Sequence, residues 1–486
     1  MRIPKHTILT ILLLLGVAVE TLSAVEWAVY PYFPDKSLFF ARIDATIFGI
    51  LSPFSPTFLI LLLYIWPLRL TMSLDNRLSR QFKSTINRFT QPLLRTRPKT
   101  TPTPEPRLAL TNHPRLLLLL AMSAGVLLGF IPYRSDLNPA MIPIGVDAHF
   151  YIDAVNQMIQ RTPTSAIYYV MGNPWASSRP LLLIPMYLTA ATGFVSVNQS
   201  VEALPAILGP LLALSTFIFV REGCQNQRTA AIASLFSAIS FNTTVGMWAG
   251  FYANWLALAE ANLFLAALLA FLRTSSRSML IIMTLLSVCI LLTHPWTWLV
   301  ALAVAIVFVA TFRRDQGRSI VERPLALLVV INIIVDLAIS LVFGGTVATQ
   351  DASASLSESG ISQTLNFWPN IIVGIFSAYS GLLANALFLG LPMLSMLLLR
   401  FRDKFERLLT LWVVIGSLPF PFLSSLLQTR ILYDLPIPAM MPVGLLFLIR
   451  PVRNSATHSN LSVLLVLLLG ANYALRTVTN LVAPPL

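Results

Sequence analysis

Apolar runs of roughly 17–20 residues recur along the whole chain, the length an α-helix needs to cross a bilayer core. Only 11% of the 486 residues are charged, against about 25% in soluble domains. The runs lack the strict alternation of an outer-membrane barrel. The expected fold is therefore an all-α polytopic membrane protein with about 13 transmembrane helices. In a soluble chain the net charge of +13 would point to nucleic acid. Here the basic residues sit in short loops between apolar runs, so they read as orientation signals and no nucleic-acid partner is expected. Cys224 and Cys289 form neither a metal spacing nor a disulfide framework.

Residues 1–66 are expected to hold two transmembrane helices. The first reads as a retained anchor, because Leu22 is not the small residue that cleavage after Ala24 would require. Residues 67–115 carry ten Lys and Arg against Asp75 and Glu105, with a Pro-rich stretch from Thr100 to Pro106. They read as a basic cytoplasmic linker near anionic lipid. Residues 116–486 form the main transmembrane domain, in which a large external loop, 133–202, carries juxtamembrane helices.

The topology turns on Pro180–Val197. If this segment crosses, the basic loops 221–228, 273–277, 313–323, 400–407 and 450–453 all fall outside, and the acidic loop 344–368 falls inside. If it stays on the outer side as an interfacial helix, all six loops take the orientation favoured by the positive-inside rule. Pro180, Pro185 and Gly193 suit a broken, interfacial helix. The remaining spans are expected near 116–132, 203–220, 229–241, 254–272, 279–293, 297–312, 324–343, 378–399, 408–425, 436–449 and 461–476. External stretches then include 242–253, the turn 293–297 and 427–435. No internal repeat of the kind many transporters carry is visible.

Few polar groups sit where chemistry would be done. Asp147, His149, Tyr151 and Asp153 open the first external loop's helix, where Asp147 and Tyr151 share a face by i,i+4 spacing. Phe150, Ala154 and Met158 form a second stripe suited to the membrane surface. After Gly145-Val146, Asp147 is also a natural N-cap, so capping alone explains it. His294, between Thr293 and Pro295 with Trp296 and Trp298 beside it, reads either as part of an aromatic belt with Trp175, Trp248 and Trp255 or as a pocket wall. Glu260 and Asp336 fall inside spans, where carboxylates are costly and so candidates for function. Buried pairing with Asn262 or Asn332 explains them equally well. Arg430 is the only basic residue in its external turn. It suits a phosphate, or a salt bridge to Asp434.

Taken in order, these residues resemble the type C glycosyltransferase superfamily (GT-C). Asp147-Ala-His149-Phe150-Tyr151 looks like that family's catalytic loop motif. Ser178-Arg179-Pro180 to Tyr187 resembles its interfacial helix, and Phe217 to Gly223 its exit segment. Gly250 to Ala257, the turn Thr293-His294-Pro295, and Arg430 with Tyr433 and Pro436 complete the set, over about 116–450. The resemblance implies a membrane glycosyltransferase that transfers a sugar from a polyprenyl-phosphate donor, with inversion, to a lipid, glycan or protein acceptor. The active site would face outward at the plasma membrane. Asp147 would be the general base and Arg430 would hold the carrier phosphate. His149, Tyr151, Asp153, His294 and Tyr433 would line the substrate site. Ala148 and His149 stand where a second acidic residue is usual, so the sequence does not support a divalent metal and the cofactor is unknown. The lack of an acidic pair in 242–253, and of a large soluble C-terminal domain, points to a single sugar on a monophosphate carrier. The competing expectations are a secondary transporter or lipid flippase using Glu260 and Asp336, and a non-catalytic family member.

Overall fold

In the computed structural model the described residues are 113–316 apart from 136, 174 and 175, then 322–344, 403–418, 433–449 and 456–481, with Arg430 and scattered positions in 10–21 and 391–399. Most of the N-terminal 1–66 and nearly all of the linker 67–115 lie outside the described residues, as do Trp175 and the acidic loop 344–368 beyond its first position.

The described helices are α1 Pro114–Phe130, α2 Ala148–Ile159, α3 Pro163–Gly172, α4 Pro180–Ala191, α5 Val197–Glu202, α6 Leu204–Cys224, α7 Gln227–Ile239 and α8 Phe241–Ala249. They continue as α9 Tyr252–Thr274, α10 Arg277–Thr293, α11 Pro295–Gln316, α12 Glu322–Phe343, α13 Lys404–Ser417, α14 Ile437–Leu448 and α15 Ala456–Asn480. Among the described residues there is no strand. Among the described residues six helical stretches are long and apolar enough to cross a membrane: Pro114–Tyr133, Val197–Cys224, Gln227–Ala249, Tyr252–Thr274, Pro324–Phe343 and Thr457–Thr479. Four more, Pro180–Ala191, Arg277–Thr293, Pro295–Thr311 and Ile437–Leu446, are apolar but shorter. The chain is an all-α integral membrane protein. Its outer faces are apolar as a lipid-facing surface must be: Leu119, Leu120 and Leu127 on α1, and Leu327, Ile333, Ile334, Leu337 and Leu341 on α12, are all exposed.

The bundle is built on small residues. Ala121, Gly125 and Gly129 form one buried stripe on α1, at i, i+4 and i+8. A Cβ at Gly125 would stand 2.8 Å from the backbone of Gly209, and one at Gly129 would strike Ala206. Without a hydrophobic drive between helices in lipid, close backbone approach of this kind is what holds a pair together. The pairing of Gly125 with Gly209 and of Gly129 with Ala206 also makes α1 and α6 antiparallel. The segment 131–203 therefore starts and finishes at one end of the bundle. Within it, α4 is a helix of 12 residues, or about 18 Å at 1.5 Å per residue, too short to cross.

At the opposite end, α6 stops at Gln225, which has left-handed φ 54. The Asn226 side chain then caps α7 by accepting from the backbone of Arg228 and Thr229. Glu222 pairs there with Arg221 and Arg273, so two of the basic loops meet on that face.

One element corrects the sequence reading. Residues 242–253 were expected as an external loop, yet α8 continues the helical path after a break at Ser240 and is almost wholly buried. The polar run Asn242-Thr243-Thr244 that looked like a loop has each side chain satisfied inside. Asn242 donates to the carbonyl of Tyr433 at 2.9 Å. Thr243 donates to that of Ser237 at 3.1 Å. Thr244 shares a hydrogen bond with the Tyr473 hydroxyl at 3.2 Å.

Candidate functional site

Asp147 is positioned by two glycines. Gly145 has φ +115 and Gly250 has φ +69, and a Cβ on Gly145 would stand 2.7 Å from Gly250 Cα. With no side chain between them, the irregular stretch before α2 lies against the turn between α8 and α9. The N–H of Val146 donates to Trp248 O at 3.1 Å and that of Asp147 to Ala249 O at 3.0 Å. The clasp is tied further by Tyr252, whose hydroxyl donates to Ile144 O at 2.7 Å. Tyr151 secures α2 itself, its buried hydroxyl accepting from the Ala253 N–H at 3.3 Å.

Asp147 occupies the N-cap position of α2 but its side chain makes no capping hydrogen bond. Instead its Oδ2 accepts from Arg430 at 3.2 Å, a contact between residues 283 positions apart. The two side chains are only 18% and 14% exposed. Arg430 also lies over the Phe251 ring, 5.5 Å from its centroid, where a guanidinium is held by the ring's negative face. The alternative of an Arg430–Asp434 salt bridge is not what forms. Asp434 turns away and accepts from the Thr297 hydroxyl at 2.7 Å. Thr297 in turn lies 2.9 Å from Nδ1 of His294, which is wholly buried. Arg179, 3% exposed, stands close enough to Asp147, Tyr151 and His294 to influence all three.

Four parts of the chain far apart in sequence thus converge at one end of the bundle: 145–151, Arg179, 294–297, and Arg430 with Asp434. Burial pushes the Asp147 carboxyl above the usual range, and outweighs the opposing pull of Arg430, Arg179 and His149. Burial likewise raises Asp434 to about 7, against the Thr297 and Asn254 side chains and Arg430. His294 is held well below the ordinary histidine range by burial and by the two guanidiniums, so it is neutral. With Asp434 protonated, Arg179, Arg430 and ionised Asp147 sum to one positive charge. Arg430 Nε, Asp434 Oδ1 and His294 Nε2 are buried with no hydrogen-bond partner among the described residues. Together these features make a site suited to an anion with several oxygens, next to a carboxylate of raised basicity.

Not every expected residue joins this cluster. His149 and Asp153 are both exposed, on the face of α2 opposite its buried stripe. His149 stacks on Phe150, ring centroids 3.9 Å apart, and touches the site only through its charge on Asp147. The stripe expected to lie on the membrane divides: Phe150 is exposed, while Ala154 and Met158 point into the protein. Tyr433 is buried with its hydroxyl donating to Asn242 O at 2.7 Å and its ring against Phe241 and Phe251. Its hydroxyl is thereby committed to α8. Tyr151, whose hydroxyl accepts from the Ala253 N–H, stands within electrostatic reach of Arg179, Asp147 and Arg430. Glu260, on α9, lies against Thr293, one residue from His294, whereas Asp336 is half-buried on the peripheral α12. Asn262 bonds Thr216 at 3.3 Å and Asn332 bonds Ser287 at 3.0 Å, so neither is the partner proposed for these acids.

Arg179, Thr297 and Asp434 had not been singled out for the site. Arg179 carries the signal that marked Arg430, a basic residue on the side the positive-inside rule disfavours. Arg134 and Arg161 in the same loop diluted it. Among the described residues no three His, Cys, Asp or Glu side chains group as a metal site would. Asp147 faces a guanidinium where a cage for a hard cation would need further oxygen ligands.

Comparison of the chain with protein-family models gives no match, and comparison with curated proteins gives none.

Proposed function

We propose that this protein is a membrane glycosyltransferase that moves one sugar from a polyprenyl-phosphate donor to an acceptor hydroxyl, with inversion. The observation that carries this reading is the Asp147–Arg430 pair, a carboxylate that forgoes its helix cap to meet a guanidinium across 283 positions of chain.

In this reading the donor's phosphate lies against Arg430 and Arg179, with its prenyl tail in the bilayer. Asp147 accepts the proton of the acceptor hydroxyl as that oxygen attacks the anomeric carbon. The bond from the anomeric carbon to the phosphate oxygen breaks, and its electron pair leaves with the polyprenyl phosphate. The guanidiniums stabilise the charge growing on that phosphate. Phosphate is a good enough leaving group for a single displacement, so no enzyme-bound sugar is required. The outward orientation, the plasma-membrane location and the fuller set of about 13 spans belong to this proposal, on the charge pattern of the loops.

The test compares the glycolipids and glycoproteins of cells carrying the wild-type chain, Asp147→Asn or no chain. The expected result is that Asp147→Asn inserts normally but matches the cells without the protein. Normal products from Asp147→Asn would remove the base from this scheme. A pH-dependent solute flux lost with Glu260→Gln, and not with Asp147→Asn, would favour a transporter.

A further inference from the structure

The transfer scheme places two demands on one guanidinium. Among the described residues Arg430 is the hydrogen-bond partner of the Asp147 side chain, through one terminal nitrogen at 3.2 Å. The pair is not a closed fork. One carboxylate oxygen meets one guanidinium nitrogen, and Arg430 Nε is buried with no partner among the described residues. The phosphate of the donor needs the same N–H groups. The charges on these groups also change together during transfer. The donor is a phosphodiester with one negative charge. When its bond to the anomeric carbon breaks, the carrier leaves as a phosphate monoester, whose second ionisation lies near pH ~6. In the same step the proton of the acceptor hydroxyl passes to Asp147. The phosphate therefore gains the negative charge that the wall of the site loses. Both guanidiniums then face the product with no ionised carboxylate between them. The Asp147 side chain is 18% exposed, so its proton leaves to water directly. Once it has left, two anions stand at one guanidinium, and like charges so placed oppose each other.

We propose that Asp147 has a second task after transfer: its loss of the acceptor's proton draws Arg430 back into the Asp147–Arg430 pair and expels the polyprenyl phosphate. The step that resets the base is then also the step that releases the product. The inference rests on the glycosyltransferase reading for the identity of the ligand. The groups that face Asp147 are Arg430, Arg179 and, on its own helix, His149 and Tyr151. Those that face Arg430 from the other side are the neutral His294 and Asp434. The sign follows from the pair. Below the pH at which Asp147 titrates, the carboxyl is neutral and Arg430 belongs to the phosphate. As pH rises through that value, Asp147 competes for Arg430 and the phosphate is held less well. Burial moves the titration of Asp147 upward, and so towards neutral pH.

The experiment measures the binding and dissociation of farnesyl phosphate on the full chain in lipid. At about pH 8 the ligand should leave the wild type about tenfold faster than Asp147→Asn, the worth of one hydrogen bond to a charged group. The two rates should converge as pH falls towards about 4 and the wild-type carboxyl takes its proton. Because the proteins are compared at each pH, the ionisation of the phosphate and of Asp434 is common to both. His149→Gln should keep the pH dependence, which assigns it to Asp147. Simple repulsion between two anions gives the same sign, so the sharing of Arg430 is read from a double-mutant cycle. If the phosphate and Asp147 take the guanidinium in turn, Arg430→Gln should weaken binding about tenfold more in the Asp147→Asn background than in the wild type at about pH 8. Fixed charges acting pairwise give no such difference.

A measurement on the wild type alone guards against a variant that fails to fold. By linkage, farnesyl phosphate must raise the pH at which Asp147 titrates. Infrared spectra should therefore show the carboxylate band lost at a higher pH with farnesyl phosphate than without it. Equal dissociation rates at about pH 8 overturn the release role of Asp147. Equal losses from Arg430→Gln in the two backgrounds overturn the sharing of Arg430, as does a carboxylate titration that farnesyl phosphate leaves in place. Absence of farnesyl phosphate binding in the wild type and in every variant overturns the phosphate-carrier reading itself, and the release role with it. Binding without coupling overturns the release role and leaves that reading standing.

Discussion

Asp147 and Arg430 define the site through what each gives up. A helix N-cap normally satisfies an orphan backbone N–H, worth about 1 kcal/mol, yet Asp147 makes no such bond and pairs with Arg430. Arg430 sits on the side of the membrane that the charge pattern assigns to few basic residues, and it is anchored both by Asp147 and by the Phe251 ring. A lysine is a compact point charge and cannot span both contacts. Arg430→Lys is therefore expected to lower kcat for transfer by about 10²–10³, although the charge is kept; steady-state kinetics with a prenyl-phosphate sugar measures it, and an unchanged kcat would reduce Arg430 to simple neutralisation. The raised carboxyl of Asp147 sets a pH dependence. Only the ionised form accepts a proton, so transfer should fall as pH drops through a value above the ordinary Asp range of about 4. The cause is burial, which outweighs the nearby cations. A rate profile with its acid limb at or below that ordinary range would show that Asp147 is more hydrated than its surroundings imply. Asp147, Arg430 and His294 were legible as residues in the sequence. The contacts that gather them were not, because Thr297, beside His294, meets Asp434 across 137 positions and Asp147 meets Arg430 across 283, and no local spacing encodes that.

At the level of elements, the site depends on the clasp between Gly145 and Gly250, which lets the entry to α2 hydrogen-bond the α8–α9 turn. Gly145→Ala adds a Cβ 2.7 Å from Gly250 Cα at φ +115. Strain at such a position costs about 1–3 kcal/mol, before the clash. The expected outcome is lower thermal stability together with loss of transfer, because the base is displaced. Thermal unfolding in detergent checks it; a Gly145→Ala protein as stable and active as the wild type would mean that the clasp does not set the position of Asp147. Helix boundaries were the most legible part of the chain. The expected spans 254–272 and 324–343 lie within α9 and α12, and 203–220 starts one residue before α6, because long apolar runs with short polar breaks leave little choice. The buried α8 was missed because Asn242, Thr243 and Thr244 look like loop residues until partners on Tyr433, Ser237 and Tyr473 are known. His149 and Asp153 stand apart from the buried cluster. They belong to the same polar stretch as Asp147 but fall on the outward face of α2.

For the whole molecule, the antiparallel packing of α1 on α6 keeps 131–203 at one end, and the basic turns at 221–228 and 273–277 at the other. The loop charges had pointed to this arrangement, because reversing one segment changes six loops at once. The natural Cys224 gives a direct check, as it is exposed at the basic end. On intact cells a membrane-impermeant thiol reagent should leave Cys224 unmodified, and should label a cysteine placed at the exposed Asp153 in a Cys224→Ser background. The reverse pattern would put the Asp147 site inside the cell and require a different donor face. The transfer scheme depends most on one residue, the proposed base Asp147. In membrane vesicles supplied with a radiolabelled polyprenyl-phosphate sugar, Asp147→Asn should reduce transfer to endogenous acceptors by about 10²–10⁴, while the protein inserts and unfolds as the wild type does. Transfer at the wild-type rate by a folded Asp147→Asn protein would contradict the account.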